Sequence, residues 1–176
     1  MSETQIPLPE RIRPRDLSEI IGQDHLLGEQ APLRQMIDQG HLPSVIFWGP
    51  PGVGKTTIAL LLAQAVDRPF ISLSALNTGV KELREIIAES GDLIVPVVFI
   101  DEIHRFNKSQ QDALLSAVEK GKITLIGATT ENPSFEVNNA LLSRCQVYTL
   151  RALTEEDIGN LIRRALQQDK FLQDRY

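Results

Sequence analysis

The sequence has a single cysteine, Cys145, so an internal disulfide is excluded, and with no neighbouring histidine to activate its thiol a small core residue is expected there. Its histidines, His25, His41 and His104, are scattered without metal-ligand spacing, which argues against a metal site built from protein ligands alone. Long apolar runs are missing too: none approaches the roughly 20 residues needed to span a bilayer. Met1 to Glu10 is polar, carries Pro7 and Pro9, and lacks the apolar centre of a signal peptide. Nor is there an excess of positive charge. The 18 Lys and Arg against 23 Asp and Glu leave a net charge of -5, so any nucleic-acid contact must be local rather than driven by a global basic field. No internal repeat or low-complexity tract is visible. The expectation is a cytoplasmic protein with no membrane partner, and 176 residues suffice for one domain with a real core.

What is present centres on Gly49-Pro50-Pro51-Gly52-Val53-Gly54-Lys55-Thr56, which fits the phosphate-cradling pattern GxxxxGK[ST] at every fixed position. An ordinary Gly-Pro turn would have to meet four fixed positions and both flanks by chance. Ahead of it, Val45-Ile46-Phe47-Trp48 reads as a buried strand. Behind it, Thr57 to Val66 is rich in Ala and Leu and free of Gly and Pro, so a helix is expected to open at Lys55 and Thr56. Glycines let backbone N–H groups approach an anion without an intervening Cβ, and the helix N-terminus aims its free N–H groups at the same place. Lys55 can then bridge β- and γ-phosphates as a point charge, and the Thr56 hydroxyl can complete a magnesium shell. A nucleoside triphosphate with Mg2+ is the expected ligand.

Around this centre the chain alternates strands and helices. Residues 1–10 read as a loosely attached tail. Asp16 to Gln23 reads as a turn or short helix closing on Gly22, and Ala31 to Gln39 as an amphipathic helix ending at Gly40. Strands are expected at Phe70–Leu73, Val97–Ile100, Ile123–Thr130 and Val147–Leu150. Helices are expected at Val80–Glu89, stopped by Gly91, and from the Asn107 cap through Lys120, stopped by Gly121. This alternation predicts an α/β fold, three layers around a five-stranded parallel sheet. A last helix, capped by Thr154, carries apolar positions 158, 161, 162, 165 and 166. Its uncovered stripe predicts a nucleotide domain over 11–151 and the start of an incomplete helical lid over 152–176.

Asp101 and Glu102 end an apolar strand, on the edge where open α/β sheets bind ligands. Adjacent carboxylates on an extended segment point in different directions, which suits a magnesium shell for Asp101 and a general base for Glu102. A solvated strand end is the plainer alternative. Thr129-Thr130 could hydrogen-bond a γ-phosphate or an attacking water, or could reflect strand propensity alone. Arg144 is either an exposed arginine or one supplied to a neighbouring subunit's phosphates. Arg11, Arg13 and Arg15 form a solvated face or a contact surface, and His104 is read as supporting the strand end.

Together these residues resemble the AAA+ ATPases. Gly49 to Thr56 resembles Walker A, Val97 to Glu102 Walker B, Thr130 sensor 1 and Arg144 the arginine finger, making Lys55, Glu102, Thr130 and Arg144 the catalytic set that the resemblance implies. It further implies nucleotide contacts from Gly49, Pro50, Pro51, Gly52, Val53, Gly54, Thr56, Thr57 and Asp101, and adenine contacts from Arg13, Pro14, Ile21 and Gly22. Ser74 matches the polar position that restrains the catalytic glutamate in some members. Asp101 to Asp112 and Gly127 to Phe135 are similar to a narrower group, the replication-associated recombination protein A family, relatives of the Werner helicase-interacting protein. That resemblance implies a DNA-dependent ATPase of fork maintenance, recombination and repair, nucleoid-associated, and homo-oligomeric. Its implied partners are stalled forks and DNA with single-stranded ends or gaps, and it admits contact with a single-strand-binding protein or the replisome. Two other classes stay open: an ATP-gated clamp-loader-like or initiator-like module with little hydrolysis, and a small-molecule kinase, for which no acceptor site is visible.

Overall fold

The structure is a computed structural model that describes residues 6–90 and 93–174. Helix α1 (Leu8–Arg11) and a 3-10 turn (Leu17–Glu19) lead to the one-turn helix α2 (Asp24–Leu27) and α3 (Pro32–Asp38). Then come β1 (Val45–Trp48), α4 (Lys55–Ala65), β2 (Phe70–Ser74), α5 (Val80–Glu89) and β3 (Val97–Asp101). A second 3-10 turn (Ile103–Arg105), α6 (Lys108–Glu119), β4 (Thr124–Thr129), α7 (Pro133–Glu136), α8 (Asn139–Leu142) and β5 (Gln146–Thr149) follow, ending with α9 (Glu155–Gln168) and α10 (Lys170–Gln173).

The five strands pair in parallel in the order β2-β3-β4-β1-β5, so the expected α/β sandwich is the observed one. Successive side chains of a strand face opposite sides of a sheet, and both sides here are apolar. Val45 and Phe47 of β1, with Val97 and Phe99 of β3, pack on α3 and α4; Ile46, Val98 and Ile100 pack on α5, α6 and α8. Burying a Leu, Ile or Phe completely contributes about 1.5–3 kcal/mol, so these two layers hold the sheet edges in place. Cys145 is half-buried against the second layer, and burial pushes its thiol up to about 12, which leaves it inert at neutral pH.

Helix ends follow local chemistry. Asn107 accepts from Gln110 N while Gln110 Oε1 accepts from Asn107 N, a reciprocal cap that starts α6 as expected. Within the tail expected over residues 1–10, the chain is helical from Leu8 onward, with Pro9 in the first turn, where its missing N–H costs nothing, and Arg11 tying the turn to the far end of the chain. Residues 1–5 and the expected stop at Gly91 lie outside the described residues. The one-turn helices α2, α7 and α8 went unread because four residues are too few to show a period.

The chain's two ends are joined by polar contacts. Arg11 Nε donates to Asp169 Oδ2 at 2.6 Å, Arg164 pairs with Glu19 at 2.8 Å, and Gly22 packs on Leu153 and Asp157. Buried Gln23 donates from Nε2 to Arg151 O and accepts at Oε1 from Arg151 N. On α9, Ala165 is buried, whereas Ile158, Ile162 and Leu166 of the apolar stripe are exposed.

Candidate nucleotide site

All strands run the same way, so their carboxyl ends share one edge, and the loop after β1 lies on that edge. Gly52 and Gly54 have φ of +80° and +93°, values that cost a side-chain-bearing residue strain, and space is open where their Cβ atoms would stand. Gly49 is glycine for another reason. A Cβ there would meet the Leu150 carbonyl oxygen at 2.8 Å, so its smallness serves packing against the chain leaving β5.

Lys55 opens α4, and its Nζ donates to Gly49 O at 2.6 Å, folding the ammonium back over the loop. Burial lowers the Lys55 pKa, while the charges of Asp101 and Glu102 oppose that shift. A partly desolvated ammonium attracts an anion more strongly than a hydrated one, while the two carboxylates call for a cation beside that anion. Thr56 and Thr57 follow on the first turn, and Asp101 projects from the end of β3 with Oδ1 accepting from Glu102 N at 3.0 Å. An exposed threonine hydroxyl beside an exposed carboxylate supplies the hard oxygen ligands that magnesium takes.

Glu102 sits in the left-handed region with φ +52°, one of two such non-glycine residues among those described. Conformations of this kind cost of order 1–3 kcal/mol and persist where surrounding structure enforces them. The turn brings Arg105 Nε within 2.7 Å of Glu102 Oε2, an ion pair too bent for a hydrogen bond, since that oxygen has no hydrogen-bond partner. Ser74 lies beside Asp101 in register, but its Oγ accepts from Leu76 N; the charged partner of Glu102 is Arg105. Sequence reasoning passed over Arg105, whose signal was its spacing of three from Glu102 on a helical turn.

At the end of β4, Thr129 is buried and Thr130 exposed. Thr129 Oγ1 lies 2.9 Å from His104 Nδ1 and accepts from Glu131 N at 3.0 Å, so His104 supports the strand end as expected. One cleft gathers Arg13, Pro51, Gly52, Gly54, Lys55, Thr56, Thr57, Asp101, Glu102, Thr129 and Thr130. Pro14, Ile21 and Gly22 do not line it; Gly22 instead meets the start of α9. Val53 turns into the core, so only its backbone faces the loop.

Arg144 lies elsewhere. It precedes β5, whose first residue Gln146 pairs with Val45, the first of β1, so it stands at the amino edge of the sheet. A four-residue strand separates the edges by roughly 13 Å before either side chain is counted. Its guanidinium is engaged at home: Nη1 donates to Ala140 O at 3.0 Å and Ser143 Oγ at 2.8 Å, and Nη2 lies 2.7 Å from Glu119 Oε1.

A glycine loop between a strand and a helix, with an acidic pair ending the strand across the sheet, defines a P-loop nucleotide-binding domain. Residues 45–152 match the ATPase family associated with various cellular activities (AAA), and the chain belongs to that family. Over 167 residues it is 53% identical to replication-associated recombination protein A of Coxiella burnetii, a match covering 94% of this chain and 38% of that protein. It is 50% identical to the Escherichia coli K12 protein of the same name, over 92% of this chain and 37% of that one. ATPase WRNIP1 of Dictyostelium discoideum is 47% identical, over 96% and 20%. Among solved structures, the Thermotoga maritima RuvB Holliday junction branch migration motor superposes with a TM-score of 0.77 at 31% identity, over 89% of this chain and 54% of that one. The chain thus spans less than half the length of these curated relatives. Among the described residues no helix is long and apolar enough to cross a membrane.

Proposed function

We propose that this chain carries the ATP-hydrolysing centre of an oligomeric AAA+ ATPase that acts on DNA in replication-associated recombination. The observation that carries the reading is the convergence of Lys55, Thr56, Asp101, Glu102 and Thr130 on one cleft. Residues 11–151 form the nucleotide domain, and 152–176 begin a helical lid. The glycine loop and the first turn of α4 cradle the triphosphate, and Lys55 turns from Gly49 O to bridge its β- and γ-phosphates. Magnesium, held by Thr56 and through water by Asp101, would add positive charge at those oxygens. Glu102 accepts a proton from the attacking water as the bond to the γ-phosphorus forms and ADP leaves; Thr130 orients the water or the γ-phosphate. Arg13 stands at the cleft rim, with Pro14, Ile21 and Gly22 on the adenine side.

DNA enters from the relatives: replication-associated recombination protein A carries the setting in its name, and the net charge of -5 restricts any contact to local patches. DNA with single-stranded ends or gaps and stalled forks are the proposed substrates. The ion pairs that occupy Glu102 and Arg144 favour a second reading, an ATP-gated module that hydrolyses little until assembled.

The test uses the full-length, assembled protein. Arg144 stands on the wrong edge to reach its own cleft, so it acts on a neighbour's. Arg144→Ala binds ATP normally and loses about 10³ to 10⁵ in turnover. Glu102→Gln is inactive because an amide cannot take the proton. Mixing the two under subunit exchange restores activity, since an Arg144→Ala subunit keeps Glu102 and receives Arg144 from its partner. A mixture as inactive as its parents, with assembly confirmed, rejects the trans assignment.

A further inference from the structure

Arg144 is exposed but folded back onto its own subunit, and its three partners are not alike. Ala140 O and Ser143 Oγ belong to the same turn, are neutral and travel with the arginine. Glu119 comes from a different element, carries the only charge among them, and lies 2.7 Å away with both side chains 42% exposed. It is also the last residue of α6. An acid there faces the negative end of the helix dipole, so local preference argues against it. A residue placed against its local preference calls for a compensating role, and among the described residues Glu119 is paired with Arg144.

We propose that Glu119 is a positioning residue for Arg144, holding the guanidinium against its own subunit until a neighbour's nucleoside triphosphate competes for it. This rests on the reading that Arg144 acts in trans. The competition is one of charge. A single exposed carboxylate offers one charge, largely screened by water, whereas a triphosphate offers several, and bidentate arginine–phosphate contacts are stronger. The restraint therefore yields when ATP occupies the neighbouring cleft, and re-forms once the γ-phosphate has gone. It biases the finger rather than locking it, because exposed pairs shift equilibria only about two- to five-fold.

The experiment measures ATP turnover against protein concentration for full-length protein with Glu119→Gln, which removes the charge and keeps the shape. The concentration giving half-maximal turnover falls by about two- to five-fold, nucleotide affinity of the unassembled chain is unchanged, and Glu119→Asp stays near the parent. A merely structural Glu119 would lower the melting temperature of Glu119→Gln and leave that midpoint where it was, which overturns the proposal. The double variant Glu119→Gln with Arg144→Ala is as inactive as Arg144→Ala alone. If Arg144→Ala itself keeps its turnover, the trans reading fails and takes the restraint with it. An inactive Arg144→Ala beside an unmoved Glu119→Gln midpoint sinks the restraint only.

Discussion

The two edges of the sheet hold their polar residues by different means. At the carboxyl edge the geometry is set by backbone: positive φ at Gly52 and Gly54, the start of α4 under Lys55, and a left-handed Glu102 between β3 and the next turn. At the amino edge Arg144 is placed by its own side-chain contacts, an exposed pair to Glu119 and hydrogen bonds to Ser143 Oγ and Ala140 O. Backbone restraints are enforced by the core beneath them and are in place before ligand arrives. Side-chain restraints cost little to exchange. A pocket that must recognise one anion repeatedly suits the first arrangement, and a group that must change partners suits the second.

Substitutions can break or sharpen that contrast. Of the substitutions at the carboxyl edge, the largest effect is expected for Glu102→Gln, which should keep ATP bound and lose about 10² to 10⁴ in turnover, the usual contribution of a general base. Single-turnover measurements check it, and wild-type turnover would make Glu102 a bystander. Next comes Lys55→Ala. Removing a charge-assisted hydrogen bond worth about 1.5–3 kcal/mol lowers ATP affinity by about ten- to 150-fold, read by fluorescent-nucleotide titration.

Gly49→Ala tests whether the carboxyl edge is fixed by packing. Its new Cβ meets backbone at Leu150, which cannot swing aside, so stability falls by about 1–3 kcal/mol in denaturant unfolding. An unchanged midpoint would show the loop free to shift. The smallest effect lies away from both edges, at the Asp169 carboxyl. The hydrogen bond from Arg11 holds it below the usual carboxylate range, against the opposing effect of burial. A depressed folded value means that the stabilisation is complete above the unfolded pKa, about 3.9, and is lost as pH falls through the folded one. Asp169→Asn should therefore flatten the acid limb of stability below about pH 4 and lower the neutral plateau. An acid limb as steep as the parent's would dissociate this pair from acid unfolding.

The backbone-determined edge is also the one that sequence reveals. Val45 to Trp48, the glycine loop and Ala- and Leu-rich α4 each carry a local signal, and strand, loop and helix agree. Val97 to Asp101 is readable for the same reason, an apolar run ending in acid. The purpose of Gly49 was not readable, because its contact, Leu150, is a hundred residues away and belongs to a pairing that no local pattern encodes. Arg144 was legible as a residue, but its hold on Glu119 was not. Thr129 likewise draws its importance from a neighbour, His104, that only the folded sheet supplies, whereas the Arg105 pair was readable in its spacing of three from Glu102.

Gln23 has a consequence of another kind. Gln146 N and Leu150 N bond toward β1, so the alternate residues Thr149 and Arg151 turn their peptide groups outward from β5, which ends the sheet. His25 Nε2 donates to Thr149 O at 2.8 Å, and the Gln23 amide pairs with both peptide groups of Arg151 as a neighbouring strand's backbone would. Two side chains thus imitate the next strand. Open sheet edges recruit strands from other molecules, the usual route to aggregation, and this one is closed along its second half without a sixth strand. Gln23→Glu, which can no longer donate to Arg151 O, would reopen that template, and self-association by β-pairing is the failure it invites.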